Sequence, residues 1–309
     1  MRRVLITGGA GYLGSSMVSH FINDFEVTVV DRLLYDRTSL LQHITHPNFK
    51  FIKGDVRDER LMKQLVSKSD VILPLAALVG FPLCDRMPHE AVEVNRDACK
   101  MIADLKERDQ IVIYPCTNSG YGSVDGSKLC TEDTPMKPIT LYGQTKVEAE
   151  EIFRSTQGCT TLRLATVFGP SPRMRTDLLV NSFVLKALRE RALILYEDAY
   201  MRNYIHIQDI CRAFRFIVDR WDECSDQTFN VGNDALNCTK RQLAEQVAAL
   251  VPCSIYVTEK ISDPDQRDYI VSSQRFYDRG FVCKNDLSLG VKQLQVAYSL
   301  LDEPWHANY

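Results

Sequence analysis

Tyr142 and Lys146, four residues apart in PITLYGQTKVEAEEIF, fall on one face of a predicted helix and reach one point in space. A phenol with an ordinary pKa near 10 is a poor base at neutral pH. Lowering that value by about three units requires about 4 kcal/mol, which an ammonium about 4 Å away supplies at an effective dielectric of about 20. Such a pair can take a proton from an alcohol as hydride leaves the same carbon. Thr117, at the end of the apolar run IVIYP, is placed to hydrogen-bond the alcohol oxygen. The bare spacing is weak alone: with 13 tyrosines and lysine at about one residue in twenty, roughly 0.6 chance matches are expected. A second match, Tyr256 and Lys260 in IYVTEK, lies in a late strand or loop with no glycine-rich partner and is read as coincidence.

The elements around these residues decide their weight. Short β-branched runs recur between helical patterns: VLIT (4–7), VTVV (27–30), FKFI (49–52), VILPLAA (71–77), IVIYP (111–115) and TTLRLATVF (160–168). That alternation predicts βαβ units and a parallel sheet, an α/β fold. Ala91, Val94, Ala98, Met101, Ile102 and Leu105 mark the apolar face of one long helix between the fourth and fifth runs. After Phe168 the run GPSPRMR breaks the alternation. The boundary is set there: residues 1–168 form one domain, with 204–232 returning to it through the strand FNVG. Residues 169–203 and 233–309 form a second, smaller α/β region.

VLITGGAGYLG puts Gly8, Gly11 and Gly14 directly after a strand and at the opening of a helix. The first glycine allows a tight turn, the second lets the backbone approach a pyrophosphate, and the third lets helix and strand pack closely. Twenty residues beyond Gly11, Asp31 ends the second strand, where its carboxylate accepts from both adenosine ribose hydroxyls and repels a 2′-phosphate. Dinucleotide binding is expected, with NAD favoured over NADP. Arg32, the next residue, is the one feature that tolerates a phosphate.

Composition removes other classes. The chain of 309 residues carries 37 basic and 40 acidic side chains, a formal charge of −3, so no basic field exists to hold nucleic acid. VLIT is far short of a membrane span or a signal-peptide core, so no membrane association and a cytoplasmic location are expected. Ten cysteines contain no C-x-x-C pair and are read as small buried hydrophobes rather than a disulfide framework or zinc site. His43 and His46 are read as a solvated surface pair and His206 as an inward-facing core histidine.

On TGGAGYLG, Asp31, GDVRD (54–58), LAA (75–77), Asn95, YGQTK (142–146) and RNYIHIQD (202–209), the chain resembles the extended short-chain dehydrogenase/reductases of the nucleotide-sugar epimerase and dehydratase family over essentially its whole length. The resemblance implies a Rossmann-type doubly wound parallel sheet with a smaller nucleotide-sugar-binding region. It implies NAD held by Gly8, Gly11, Tyr12, Leu13, Gly14, Asp31, Asp55, Val56, Leu75, Ala76, Ala77, Asn95, Tyr142 and Lys146, and catalysis by Thr117, Tyr142 and Lys146. By the same resemblance Asn118, Ser119, Arg173, Asn181, Arg202 and Arg267 contact a nucleotide-diphosphate sugar, arginine forks suiting phosphate. A homodimer through a four-helix bundle is also implied.

Similar dehydratases and decarboxylases place a glutamate at the position of Ser119, and C3/C5 epimerases place a cysteine there. Neither serine nor asparagine has a pKa suited to taking a proton from carbon near pH 7, so TNS argues for hydride chemistry at one carbon, most simply C4. Segments 78–88, 170–181 and 263–269 resemble GDP-heptose 4-dehydrogenases of bacterial capsule biosynthesis. That likeness implies a GDP-manno-heptose oxidised at C4, with a 2-oxo acid removing the hydride from NADH. A 4-epimerase would use the same residues, and a redox-sensing regulator that binds NAD without turnover is the alternative outside enzymes.

Overall fold

The computed structural model describes residues 1–35, 38–124, 129–258 and 268–301. Apolar, β-branched β1 (Arg3–Thr7) runs into the glycine turn and α1 (Tyr12–Phe21), followed by β2 (Glu26–Asp31), β3 (Phe49–Lys53), α2 (Glu59–Val66) and β4 (Val71–Pro74). Short helices α3 (Phe81–Arg86) and α4 (Pro88–Val92) lead through a π-turn at Glu93–Asp97 into α5 (Ala98–Leu105). Then come β5 (Ile111–Thr117), β6 (Leu129–Cys130), α6 (Leu141–Arg154), β7 (Cys159–Leu164) and β8 (Thr166–Phe168). The remaining elements are α7 (Leu179–Arg189), β9 (Ala192–Leu195), β10 (Met201–His206), α8 (Ile207–Asp219), α9 (Trp221–Cys224), β11 (Thr228–Val231), β12 (Asn233–Thr239), α10 (Lys240–Leu250), β13 (Ser254–Val257), β14 (Ile270–Val271), α11 (Gln274–Tyr277) and α12 (Leu287–Ser299).

Seven parallel strands form the central sheet in the order β11-β7-β5-β4-β1-β2-β3. The chain order reverses between β1 and β4, the switch point at which open α/β sheets bind ligands beyond their strand carboxyl ends. Both faces of the central strands are covered, so β1, β4 and β5 are buried along nearly their whole length, while the edge strand β3, FKFIK, alternates and is largely unburied. Phe21, Ile210, Phe214, Phe229 and Phe276 pack on one face with α1, α8 and α11, and Met62, Ile102, Tyr114 and Phe153 pack on the other with α2, α5 and α6. A third core, with Phe168, Phe183, Leu243 and Leu294, joins α7, α10 and α12 beside the three-stranded sheet β12-β10-β8.

The structure bears out the doubly wound sheet and corrects three details. TTLRLATVF is two strands: β7 stays in the central sheet and, after Ala165, β8 pairs with β10. The long helix is real in outline, with Ala91, Val94, Ala98 and Ile102 buried, yet its register shifts by one residue at the π-turn. His43 is buried rather than solvated, its ring bonded to the Ser19 hydroxyl at 2.9 Å. The histidine read as core is core: His206 caps α8, accepting from the Gln208 amide at 3.2 Å, with Gln293 at 2.9 Å on its other nitrogen. Eight of the ten cysteines are buried, and burial pushes the Cys99 thiol up to about 11.

A buried ion pair fastens α6 to the sheet. Glu150 and Arg163, 1% and 2% exposed, meet at 2.6 and 2.9 Å. The arginine also donates to the Tyr121 hydroxyl at 3.1 Å and the Glu132 carbonyl at 3.0 Å. Removing one partner strands the other charge, so Glu150→Ala is expected to lower stability by about 3–5 kcal/mol. A urea midpoint that falls with unchanged slope reads this, and Glu150→Leu with Arg163→Met should recover at least half; a single-variant loss under about 1 kcal/mol would contradict the anchoring role.

Candidate active site

The strand ends open into one continuous cleft of about 790 Å³. Its first wall is the glycine turn. Gly8 has φ 67°, and a Cβ there would sit 2.7 Å from the Ala76 backbone. A Cβ at Gly14 would collide with the Gly8 carbonyl oxygen, whereas at Gly11 it would meet only that oxygen, at 3.2 Å, with the rest facing the cleft. The turn thus provides a close backbone approach for an anion at the N-terminus of α1.

Asp31 lies beside it, accepting from the Ala10 amide at 3.0 Å and the Leu33 amide at 2.7 Å. Burial raises its carboxyl's pKa, and those two amides oppose the rise. Arg32, whose cation could have welcomed a 2′-phosphate, is bonded to Glu90 and stands 3.7 Å from Asp55. Arg57 holds Asp55 at 2.7 Å and keeps its carboxyl below the usual range. Two carboxylates around Arg32 neutralise it, so this end suits a bare ribose diol. Tyr12, Leu13, Val56, Leu75, Ala76 and Ala77 complete the wall.

The second wall carries Thr117, Tyr142 and Lys146, the residues expected to do acid–base chemistry. Thr117 ends β5 and caps the next turn, accepting from the Ser119 amide at 3.1 Å and donating to the Ser119 hydroxyl at 3.0 Å. Thr140 caps α6 by accepting from Gly143, which sets Tyr142 in the first turn and Lys146 one turn on, both on the cleft. Lys146 is 4% exposed, with its ammonium 4.1 Å from the Tyr114 ring centroid. Burial lowers its pKa, and that aromatic face is an electrostatic seat for the cation. Beneath it, the Cys116 thiol and the Tyr114 hydroxyl donate to the Lys146 carbonyl at 3.5 and 3.2 Å. Cys116 is thus packed under α6.

Three expected contacts are relocated. Asn95 is off the cleft wall: its side chain accepts from the Leu78 amide at 2.8 Å and donates to the Leu78 carbonyl at 3.0 Å and to Thr145 at 3.3 Å. Through those bonds it shapes the cleft wall at Leu78. Asn181, expected at a phosphate, is fully buried, accepting from the Gly169 amide at 3.0 Å and donating to the Arg175 carbonyl at 2.9 Å. Asn118 is buried behind the wall, and its amide makes no hydrogen bond among the described residues. Arg267 and Lys260 lie outside the described residues.

The rest of the cleft lining is rich in cations, with Arg173, Arg175, Lys186, Arg202 and Lys240 on it. Arg202 lies 5.5 Å from the Tyr269 ring and Lys240 4.5 Å from that of Tyr196. Arg175 went unread in the sequence. Asp177 holds it, with one contact at 3.1 Å, and it interacts electrostatically with the Tyr142 phenol. Its only signal was a second arginine in PRMRT, two residues from the one selected.

The profile of the NAD dependent epimerase/dehydratase family matches residues 4–232. The chain belongs to this family. Its cofactor is NAD, which the glycine turn, Asp31 and the neutralised Arg32 fit. The low-salt glycan biosynthesis protein Agl12 of Haloferax volcanii is 30% identical over 240 residues, 74% of this chain and 76% of that one. The dTDP-glucose 4,6-dehydratase of Bacillus anthracis, solved with NAD, superposes with a TM-score of 0.84 over 97% of each chain at 22% identity. The UDP-glucose 4-epimerase of Thermus thermophilus gives 0.81 over 96% of this chain and 99% of that one, also at 22% identity. Family members so alike in fold differ in reaction, so the side chains of the cleft must discriminate. Among the described residues no helix is long and apolar enough to cross a membrane.

Arg175 gives a test of the electrostatics. Arg175→Met removes a cation that favours the Tyr142 phenolate, so the rise of kcat/KM with pH should move about one unit toward alkali. An unmoved profile would remove Arg175 from the acid–base machinery.

Proposed function

We propose that this protein oxidises the C4 hydroxyl of a nucleotide-diphosphate sugar to a ketone. One observation carries the reading. Among the described residues, the acids lining the cleft are Asp31, Asp55 and Asp177. The first two stand at the ends of β2 and β3, and Asp177 is held by Arg175. Ser119 occupies the position where dehydratases need a carboxylate. Water elimination and removal of a carbon-bound proton lack their acid and base, and what is left is proton loss from a hydroxyl coupled to hydride loss from its carbon.

In this reading Tyr142 takes the hydroxyl proton, Thr117 holds the same oxygen, and Lys146 with Arg175 favours the phenolate. NAD supplies the hydride acceptor. Arg202, Lys186 and Lys240 meet the nucleotide diphosphate, with the rings of Tyr196 and Tyr269 beside them. The sugar nucleotide is GDP-manno-heptose, supported by the likeness of segments 78–88 and 170–181 to GDP-heptose 4-dehydrogenases, and a 2-oxo acid regenerates NAD. The glycan-biosynthesis relative supports a product destined for a polysaccharide. A homodimer through α5 and α6 belongs to the same reading; within the protomer the π-turn that leads into α5 is linked to α6 by Arg96 and Glu148 at 3.3 Å.

The test is purified protein with GDP-manno-heptose, following near-ultraviolet absorbance of the nicotinamide and recovering the sugar, with and without a 2-oxo acid. A keto sugar with NADH, and turnover sustained by the oxo acid, is expected. A C4-inverted sugar without net NADH would replace this reading by a 4-epimerase, and no change in either would remove the heptose. Tyr142→Phe should lower kcat at least about 100-fold while still binding NAD; full activity in that variant would sink the mechanism.

A further inference from the structure

Arg173 was expected at the substrate, yet its main chain belongs to the cofactor side. Segment 169–175 is sewn onto the start of α1. The Tyr12 hydroxyl donates to the Gly169 carbonyl at 2.8 Å, the Ser171 hydroxyl donates to the Tyr12 carbonyl at 2.6 Å, and Ser15 and Ser16 meet Ser171 at 3.1 and 3.0 Å. The Arg173 amide donates to the Ser15 hydroxyl at 3.3 Å, one residue past the last glycine of the turn. From that fixed base the guanidinium, 2% exposed and on the cleft lining, reaches over the Tyr35 ring at 4.8 Å. Tyr35 lies just beyond Asp31, at the cleft's exposed edge. The side chain therefore bridges the first turn of α1 and the loop after β2.

A dinucleotide's pyrophosphate brings two negative charges to the glycine turn, which answers them with backbone amides and a helix dipole but no side-chain cation. We propose that Arg173, seated on Tyr35 and fixed at its main chain to the first turn of α1, is a cofactor-retaining strap: it pairs with the NAD pyrophosphate and keeps the dinucleotide bound between turnovers. The inference rests on NAD as the cofactor, not on the identity of the sugar. It moves Arg173 from the substrate's phosphates to the cofactor's.

The test needs no turnover. Holoprotein loaded with NADH is mixed with excess NAD, and loss of bound-NADH fluorescence gives the release rate. Arg173→Met should release at least about tenfold faster, with Arg173→Lys between it and the parent, because a point charge replaces the fork. Tyr35→Leu, at the exposed edge, should release about threefold faster or more, and it decides the matter if Arg173→Met does not fold. Release at the parental rate in the folded variants overturns the strap. A raised KM for the sugar nucleotide with unchanged NADH release would return Arg173 to the substrate's diphosphate.

Discussion

The Glu150–Arg163 pair is the constraint on which the site depends. Tyr142, Lys146 and Glu150 follow one another at four-residue intervals along α6, so the helix that carries Tyr142 and Lys146 to the cleft is pinned by the third of these residues. Two buried charges add little net stability, since desolvation offsets most of their attraction. What they set is position. A sheet-facing apolar helix can slide or roll at small cost, whereas a guanidinium bonded to one carboxylate, one phenol and one carbonyl has a single arrangement. The network continues through the Tyr121 hydroxyl to Asn230 at 2.6 Å and from the Asn230 amide to Glu132 at 2.7 Å, tying β11 and the turn after β5 to the same frame.

A second set of bonds joins the two halves of the cleft. Tyr12, Ser15 and Ser16 of α1 grip Gly169 and Ser171, and Asn181 of α7 holds Gly169 and the Arg175 carbonyl from behind. The wall bearing Arg173 and Arg175 is therefore preformed against the glycine turn. Charge is distributed along the cleft in the same spirit: Arg32 paired with carboxylates beside Asp31, the Lys146 ammonium seated on the Tyr114 ring, and a lining otherwise rich in cations.

Much of this was legible in the chain, and the failures share a cause. The glycine spacing, Asp31 and the Tyr142–Lys146 interval are local patterns whose geometry follows from one turn, one strand end and one helix, and each lines the cleft as expected. Asn95, Asn181 and Asn118 were expected in the cleft and lie off it. An amide's type says that it will hydrogen-bond, but only the packed fold says whether its partner is a ligand or a main-chain group across a loop. Arg175 and Arg163 show the converse. Their roles depend on Asp177, Glu150 and Tyr121, and for Arg163 the nearest of these is 13 residues away. The break at Ala165 was invisible because a run of β-branched residues is equally good strand in either of two sheets.

The π-turn between α4 and α5 shows how such a site can depend on a blemish. Where the Ala98 amide reaches back five residues to the Glu93 carbonyl, the backbone holds one residue more than an α-helix would place there. That surplus residue rotates the preceding turn relative to the following one, and Asn95 sits inside it with its amide on Leu78. Shortening the segment by a single residue would give a more regular helix and turn Asn95 away from the loop it holds. Helix regularity and site geometry are opposed at this point, and the fold has kept the geometry.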